Sequence, residues 1–231
     1  MKINAEFSEA VGVHSSLLAW TPSPIAGVER PMLDRIGGEV ARATSIVRYA
    51  PGSHFSAHTH SGGEEFIVLE GTFQDEHGDY PAGTYVRNPI GTRHIPRADD
   101  GCTIFVKLWQ FAHDDDAQVA IDLNDVELAA LEGQPGINQA TIHQVPGETV
   151  MIEHWEPGAS KILDAGAGAE LLVLEGAIEW NADSFAKHDW IRLPPGASET
   201  FRAETGGARV WIKTGHLAEI AQHGWQSPHV D

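Results

Sequence analysis

Three side chains within seven positions carry the first chemical signal in this chain of 231 residues: His58, His60 and Glu64. They sit in Gly-Ser-His-Phe-Ser-Ala-His-Thr-His-Ser-Gly-Gly-Glu-Glu-Phe-Ile-Val-Leu-Glu-Gly, residues 52–71. Alternate residues of a β-strand project to one face, so imidazoles at 58 and 60 stand side by side with Cα atoms roughly 6.6 Å apart. Two imidazoles so placed can share one ion. Along a straight strand Glu64 would lie about 13 Å beyond His60, so the chain must reverse at Ser61-Gly62-Gly63, where two glycines make a turn accessible. A fourth candidate, His94, follows the Pro89-Ile90-Gly91 turn by three residues and starts a strand that can return beside the first. Three imidazoles and a carboxylate form a donor set for a divalent transition metal. Ligation needs the unprotonated imidazole, so affinity is expected to fall as the pH drops through about 6.5.

The segments that must position these residues are short. Thr44 to Tyr49, Phe66 to Glu70, Thr84 to Arg87, Arg93 to Pro96 and Cys102 to Phe111 have the alternating or continuous apolar character of strands. Pro51-Gly52, Gly62-Gly63, Pro81-Ala82-Gly83, Pro89-Ile90-Gly91 and Asp99-Asp100-Gly101 break them. Edge strands are expected before residue 40, and no stretch has a convincing amphipathic helical period. Many short strands joined by turns predict an all-β chain of barrels or sandwiches.

The second half repeats the first. Pro51-Gly52 recurs as Pro157-Gly158, Val68-Leu69-Glu70-Gly71 as Val173-Leu174-Glu175-Gly176, Pro89-Ile90-Gly91 as Pro194-Pro195-Gly196, and Ile104-Phe105-Val106-Lys107 as Val210-Trp211-Ile212-Lys213, always at offsets of 105 or 106. Four ordered matches at one spacing predict two copies of one β-fold. The ligands are not copied. At the same offsets His58 falls on Leu163 or Asp164, His60 on Ala165 or Gly166, Glu64 on Ala169 and His94 on Glu199. Asp164, Glu170 and Glu199 make a poor transition-metal set without a histidine. The expected division is a metal-binding domain over 1–112, an acidic connector over 113–140 with a short helix around Asn124 to Glu132, and a degenerate domain over 141–231.

Composition narrows the partners. With 33 acidic and 15 basic residues the formal charge is -18, which disfavours nucleic acid and anionic lipid surfaces. No apolar run reaches the roughly 20 residues a membrane span needs, and the first residues lack the pattern of a signal peptide, so a cytoplasmic setting is expected. The single cysteine, Cys102, excludes an internal disulfide and reads as a buried core residue. No Gly-x-Ser-x-Gly or glycine-rich phosphate loop is present. His54 and Arg93 lie near the ligands in sequence and are candidates for the pocket wall, as are Trp109 and Tyr85, for which a core position is the better expectation.

The chemistry-bearing stretch resembles the cupin superfamily. The first cupin motif, Gly, five residues, His-x-His, three or four residues, Glu, six residues, Gly, is met by Gly52, His58, His60, Glu64 and Gly71. The second, Gly, five residues, Pro-x-Gly, two residues, His, three residues, Asn, is met by Gly83, Pro89, Gly91 and His94, with Ala98 in place of Asn. Residues 60–65, 69–76, 80–85 and 101–107 resemble the ChrR-like branch, which includes the zinc-holding cupin of ChrR-type anti-sigma factors and is similar to acetylacetone-cleaving dioxygenases. The resemblance implies two tandem cupin barrels of jelly-roll type, with Zn2+ or Fe2+ the first expectation for the ion and Mn2+, Ni2+ or Co2+ also compatible. It implies a small-molecule ligand, metal-dependent dioxygenase chemistry or, alternatively, a non-catalytic metal or redox-sensing module, and a homodimer. A sigma-binding zinc domain of the His-x-x-x-Cys-x-x-Cys kind cannot be supplied by a chain with one cysteine.

Overall fold

A computed structural model describes residues 1–38 and 40–225. The chain divides into two compact units, one of Met1–Ala5 and Leu18–Asp125, the other of Glu6–Leu17 and Val126–Trp225. These bounds depart from the expected 1–112, 113–140 and 141–231. Residues 6–17 fold with the second unit, and the acidic stretch is not a free connector. Its Val119–Asp122 strand pairs with Thr84–Asn88 in the first unit, while Ala129–Ala130 pairs with Ile137–Val145 in the second. The short helix expected around Asn124 to Glu132 is a single 3-10 turn, Leu123–Asp125, because Ala129 and Ala130 are held in a ladder. Residues 226–231, the end of the second expected domain, lie outside the described residues.

In the first unit the sheet runs, in order of neighbours, through Lys2–Ile3, Met32–Gly37, Ala41–Tyr49, Cys102–Leu108, Glu64–Gln74, Thr84–Asn88 and Val119–Asp122. All of these pairings are antiparallel. Shorter pairs complete the unit: Ser53–His54 with Arg97–Ala98, which joins the sheet through Arg97 opposite Gln74, and a separate pair of His58–Thr59 with Arg93–His94. Phe66, Val68, Phe73, Val86, Ile104 and Val106 fill the interior. Cys102 is buried as expected, and burial pushes its thiol up to about 12.

The second unit repeats the plan, with Ile137–Val145, Glu148–Trp155, Ser198–Thr214, Ala169–Trp180 and Trp190–Leu193 in one antiparallel sheet. Val11–Val13 adds to its edge by pairing with Trp190–Leu193. One helix, Ala218–His223, lies near its end; six residues are too few for a periodic sequence signal. Gly71 and Gly176 show the repeat in backbone detail. Their φ values are +71° and +69°, and a Cβ on either would stand 2.3 or 2.0 Å from the carbonyl oxygen of Gly101 or Gly207, respectively. Only glycine fits both the conformation and the approach.

A buried polar layer is repeated as well. Glu65, Tyr85, Arg87 and Lys107 recur as Glu170, Trp190, Arg192 and Lys213, and all eight are at most 1% exposed. Tyr85 donates to Glu65 at 2.6 Å and Trp190 to Glu170 at 3.1 Å. Arg87 donates to Glu65 at 3.2 Å and to Asp115. Both guanidiniums also cover an aromatic ring, Arg87 over Phe111 at 4.4 Å and Arg192 over Phe7 at 4.0 Å. Buried charges persist only when paired and hydrogen-bonded, so these positions are tied to the fold. Tyr85 therefore belongs to this layer, in line with the core expectation. Among the described residues no helix is long and apolar enough to cross a membrane.

Candidate metal centre

Three different elements bring the four predicted ligands together. His58 lies directly opposite His94 in the ladder between His58–Thr59 and Arg93–His94. Side chains so paired are within reach of each other. His60 has already left the strand, and the Pro89-Ile90-Gly91 turn grips its backbone: the His60 N–H donates to the Thr92 carbonyl and the Gly91 N–H to the His60 carbonyl, both at 2.9 Å. The chain then reverses at 61–63 as expected, with Gly63 at φ +74°. Glu64 opens the strand Glu64–Gln74, paired on both sides. The reversal needs glycine for a second reason. A Cβ on Gly62 would meet the Trp109 ring at 2.2 Å, and one on Gly63 the Phe111 ring at 2.3 Å.

One donor atom from each of His58, His60, Glu64 and His94 lies within 4.8 Å of all the others. The Nε2 atoms of His58 and His94 are 3.3 Å apart, and Glu64 Oε2 stands 3.6 Å from the Nε2 of both His60 and His94. Ligands bound at about 2.0–2.2 Å around a tetrahedral ion would be separated by roughly 3.3–3.6 Å. The donors' other nitrogens support the same assignment. His94 Nδ1 donates to Asp75 Oδ2 at 3.2 Å and His58 Nδ1 to the Ser56 carbonyl at 3.3 Å. Both pairings favour the proton on Nδ1 and leave the Nε2 atoms facing each other, where a metal ion or a proton shared between the rings satisfies both. His60 Nε2 is buried without a hydrogen-bond partner, a costly state for a polar atom unless an ion takes its lone pair. The residues thus fit a divalent ion.

Burial lowers the pKa of His60, which Glu64 only partly offsets, so this imidazole is kept neutral. Burial also works against a charge on His94, but the hydrogen bond to Asp75 and the charge of Glu64 outweigh it and hold its pKa above the usual value. For Asp75 burial is outweighed by the hydrogen bond from His94 and by the backbone N–H groups of His77 and Gly78, and its pKa is lowered. Asp75 is a site residue that sequence reading missed. Its only sequence signal lies in the Leu69–Glu76 stretch, where nothing in the spacing points at His94.

A cavity of about 600 Å³ adjoins the donors, lined by His58, His60 and Glu64 together with Val28, Val47, Tyr49, Phe73, Val106 and Leu108. His54 also lines it, whereas Arg93 is exposed and does not. Trp109, expected in the core, is a cavity wall. It follows the last residue of the strand Cys102–Leu108 at φ +60°, which turns the chain so that the ring covers Gly62. His58 is exposed while His60 and His94 are buried, so the donor cluster is reached from this side.

The corresponding place in the second unit is closed. Leu163, Ala165 and Ala169 stand buried where the first unit has His58, His60 and Glu64, in one core with Trp155, Trp180, Phe185 and Phe201. The pair His94 and Asp75 is replaced by Glu199 and Trp180, with the indole N–H donating to the carboxylate at 3.0 Å. Glu170 is engaged with His216 and Trp190, and Asp164 is exposed.

Residues 8–112 match the family described as ChrR Cupin-like domain. That stretch is similar to the ChrR-like cupins. Among solved structures it is similar to a protein of Nostoc punctiforme provisionally described as a dioxygenase, at 14% identity and a TM-score of 0.75, over 93% of this chain and 85% of the other. A bacterial pirin of Escherichia coli in complex with nickel(II) matches at 12% identity and a TM-score of 0.63, over 89% and 98% of the two chains. A mutant of Bacillus subtilis oxalate decarboxylase matches at 13% identity and a TM-score of 0.59, over 90% and 78%. Identities this low establish the fold, and both barrels have the cupin fold. No curated protein gives a match.

Proposed function

We propose that the ChrR-like cupin barrel holds one divalent transition metal on His58, His60, Glu64 and His94 and carries out oxygen-dependent chemistry on a small organic molecule in the adjoining cavity. The observation that carries this reading is the conjunction of a buried His60 Nε2 that lacks a hydrogen-bond partner with a cavity that opens onto the same donors. A bound Fe2+ would supply redox chemistry toward dioxygen, with coordination positions left over after four protein ligands. The chain's own residues do the rest. Asp75 and the Ser56 carbonyl orient two of the imidazoles, while Val28, Val47, Phe73, Val106 and Leu108 exclude water from the ligand's apolar part. The likeness to a protein provisionally described as a dioxygenase and to a nickel(II)-bound pirin accords with this reading.

Metal analysis of protein purified without added metal, followed by oxygen uptake with Fe2+ and 1,3-dicarbonyl compounds, tests it. One equivalent of metal is expected, with oxygen consumption coupled to loss of substrate, and His60→Ala should abolish both. The second reading, a non-catalytic sensing module, is favoured by the presence of four protein donors, which would saturate a tetrahedral Zn2+. A stoichiometric zinc complex inert toward every substrate would select it over the first.

A further inference from the structure

The cavity over the metal donors has a cation in its wall. The strand Val28–Arg30 pairs with Ala41–Tyr49, Val28 standing opposite Tyr49 and Glu29 opposite Arg48. Alternation along the strand sends Val28 and Arg30 to the cavity side and Glu29 to the other, and the lining follows it, with Val28, Arg30, Val47 and Tyr49 all on the cavity. Glu29, the nearest acid in sequence, is taken by Arg48 at 2.6 Å on the opposite face. Arg30 forms no ion pair among the described residues, and its Nε is buried without a hydrogen-bond partner. In a chain with a formal charge of -18, a half-buried guanidinium with no carboxylate of its own stands out, since the usual outcome is neutralisation by a neighbour.

The same wall offers a second donor. The Tyr49 hydroxyl has no hydrogen-bond partner among the described residues, and it lies near enough to Glu64 and Arg30 to sense both charges. Burial and Glu64 raise its pKa while Arg30 works the other way, so it remains a neutral O–H donor. Glu64 is the one acidic side chain lining the cavity among the described residues, and on the reading above its charge is committed to the metal.

We propose that this cavity selects a small organic carboxylate with an apolar body, its carboxylate received by Arg30 and the Tyr49 hydroxyl and its apolar part lying along Val28, Val47, Val106 and Leu108. The proposal rests on the metal-site reading, because it places the other end of such a ligand toward His58, His60 and Glu64. A planar guanidinium matches a carboxylate through two parallel N–H donors, and a cavity of about 600 Å³ lies within the range that holds small organic ligands. The apolar majority of the wall argues against a compact inorganic anion as the intended ligand.

Hexanoate and its neutral counterpart hexanamide are the probes, titrated by calorimetry into the full chain, once after treatment with chelator and once after loading with Zn2+. Hexanoate is expected to bind roughly 10-fold or more tighter than hexanamide, as a charge-assisted pair requires. Arg30→Met should remove that preference without lowering metal stoichiometry or thermal stability, Arg30→Lys should restore part of it, and Tyr49→Phe should weaken hexanoate binding by a smaller factor. Equal binding of acid and amide, no binding of either, or a preference that survives in Arg30→Met overturns the proposal. A protein that never takes up metal yet keeps the Arg30-dependent preference would sink the metal reading alone, and the two failures are thereby told apart.

Discussion

At the scale of single residues the proposed metal site would balance protons against a cation. His60 is kept neutral by burial, whereas Asp75 holds the pKa of His94 above its ordinary value. A metal at His94 therefore competes with a proton at a pH where a free histidine is already neutral. Zn2+ affinity is expected to weaken as the pH falls, starting above about 6.5. In Asp75→Asn the onset should move to lower pH, because the partner that favours the protonated ring is gone. The same variant should bind Zn2+ about 10- to 100-fold more weakly at neutral pH, since a carboxylate behind an imidazole fixes its tautomer and raises its basicity. Competition with a chromophoric chelator across the pH range reads both effects. Unaltered affinity and onset would reduce Asp75 to a loop-holding role through the N–H groups of His77 and Gly78.

Elements decide how precisely the donors meet. Gly62 and Gly63 let the chain reverse, and they also admit Trp109 and Phe111, which approach from more than forty residues further along. Gly63→Ala would combine a strained positive φ with a collision against Phe111, costing about 1–3 kcal/mol. Gly91→Ala carries the strain of φ +88° but meets nothing within 4 Å, so its cost should be smaller. Thermal unfolding is expected to rank Gly63→Ala below Gly91→Ala, and metal stoichiometry should fall first in Gly63→Ala because Glu64 follows directly. An equal shift for both variants would show that the aromatic contacts do not matter to the turn.

Across the whole molecule, a buried polar layer is common to both barrels while the donors belong to one. Arg87→Met would leave Glu65 and Asp115 with less compensation in a dry environment, at a cost of about 3–5 kcal/mol. Denaturant titration checks this, and a change within about 0.5 kcal/mol would contradict it. In the second unit residues 6–17 are held through His14, which stacks on Phe185 at 4.6 Å and pairs with Asp183 at 2.9 Å and Asp189 at 3.1 Å. Hydrogen bonds to Asp183 and Asp189 outweigh burial and raise its pKa. A folded-state pKa above the unfolded one stabilises fully below the unfolded value, near 6.5, and the benefit is lost as the pH rises through the folded value. The melting-temperature difference between the natural protein and His14→Gln should accordingly be largest at mildly acidic pH and shrink above neutrality. A difference independent of pH would mean that His14 acts through its stacking alone.

The sequence by itself determined the two copies of one β-fold and singled out the candidate donors His58, His60, Glu64 and His94. Repeats at a fixed offset and a His-x-His with its turn glutamate are local patterns, written in consecutive residues. The tertiary structure decided what depends on distant partners. Asp75 reaches His94 across nineteen positions, Trp109 comes to cover Gly62, and residues 6–17 join the barrel that begins over a hundred residues later. The charged layer of Glu65, Arg87, Glu170 and Arg192 was hidden for the same reason: a charged residue in a strand reads as solvent-facing until the partner that allows its burial is placed beside it. Donor identity was local and therefore legible, whereas the cavity, its unpaired Arg30 and the protonation of the imidazoles arise only when strands far apart in sequence are packed together.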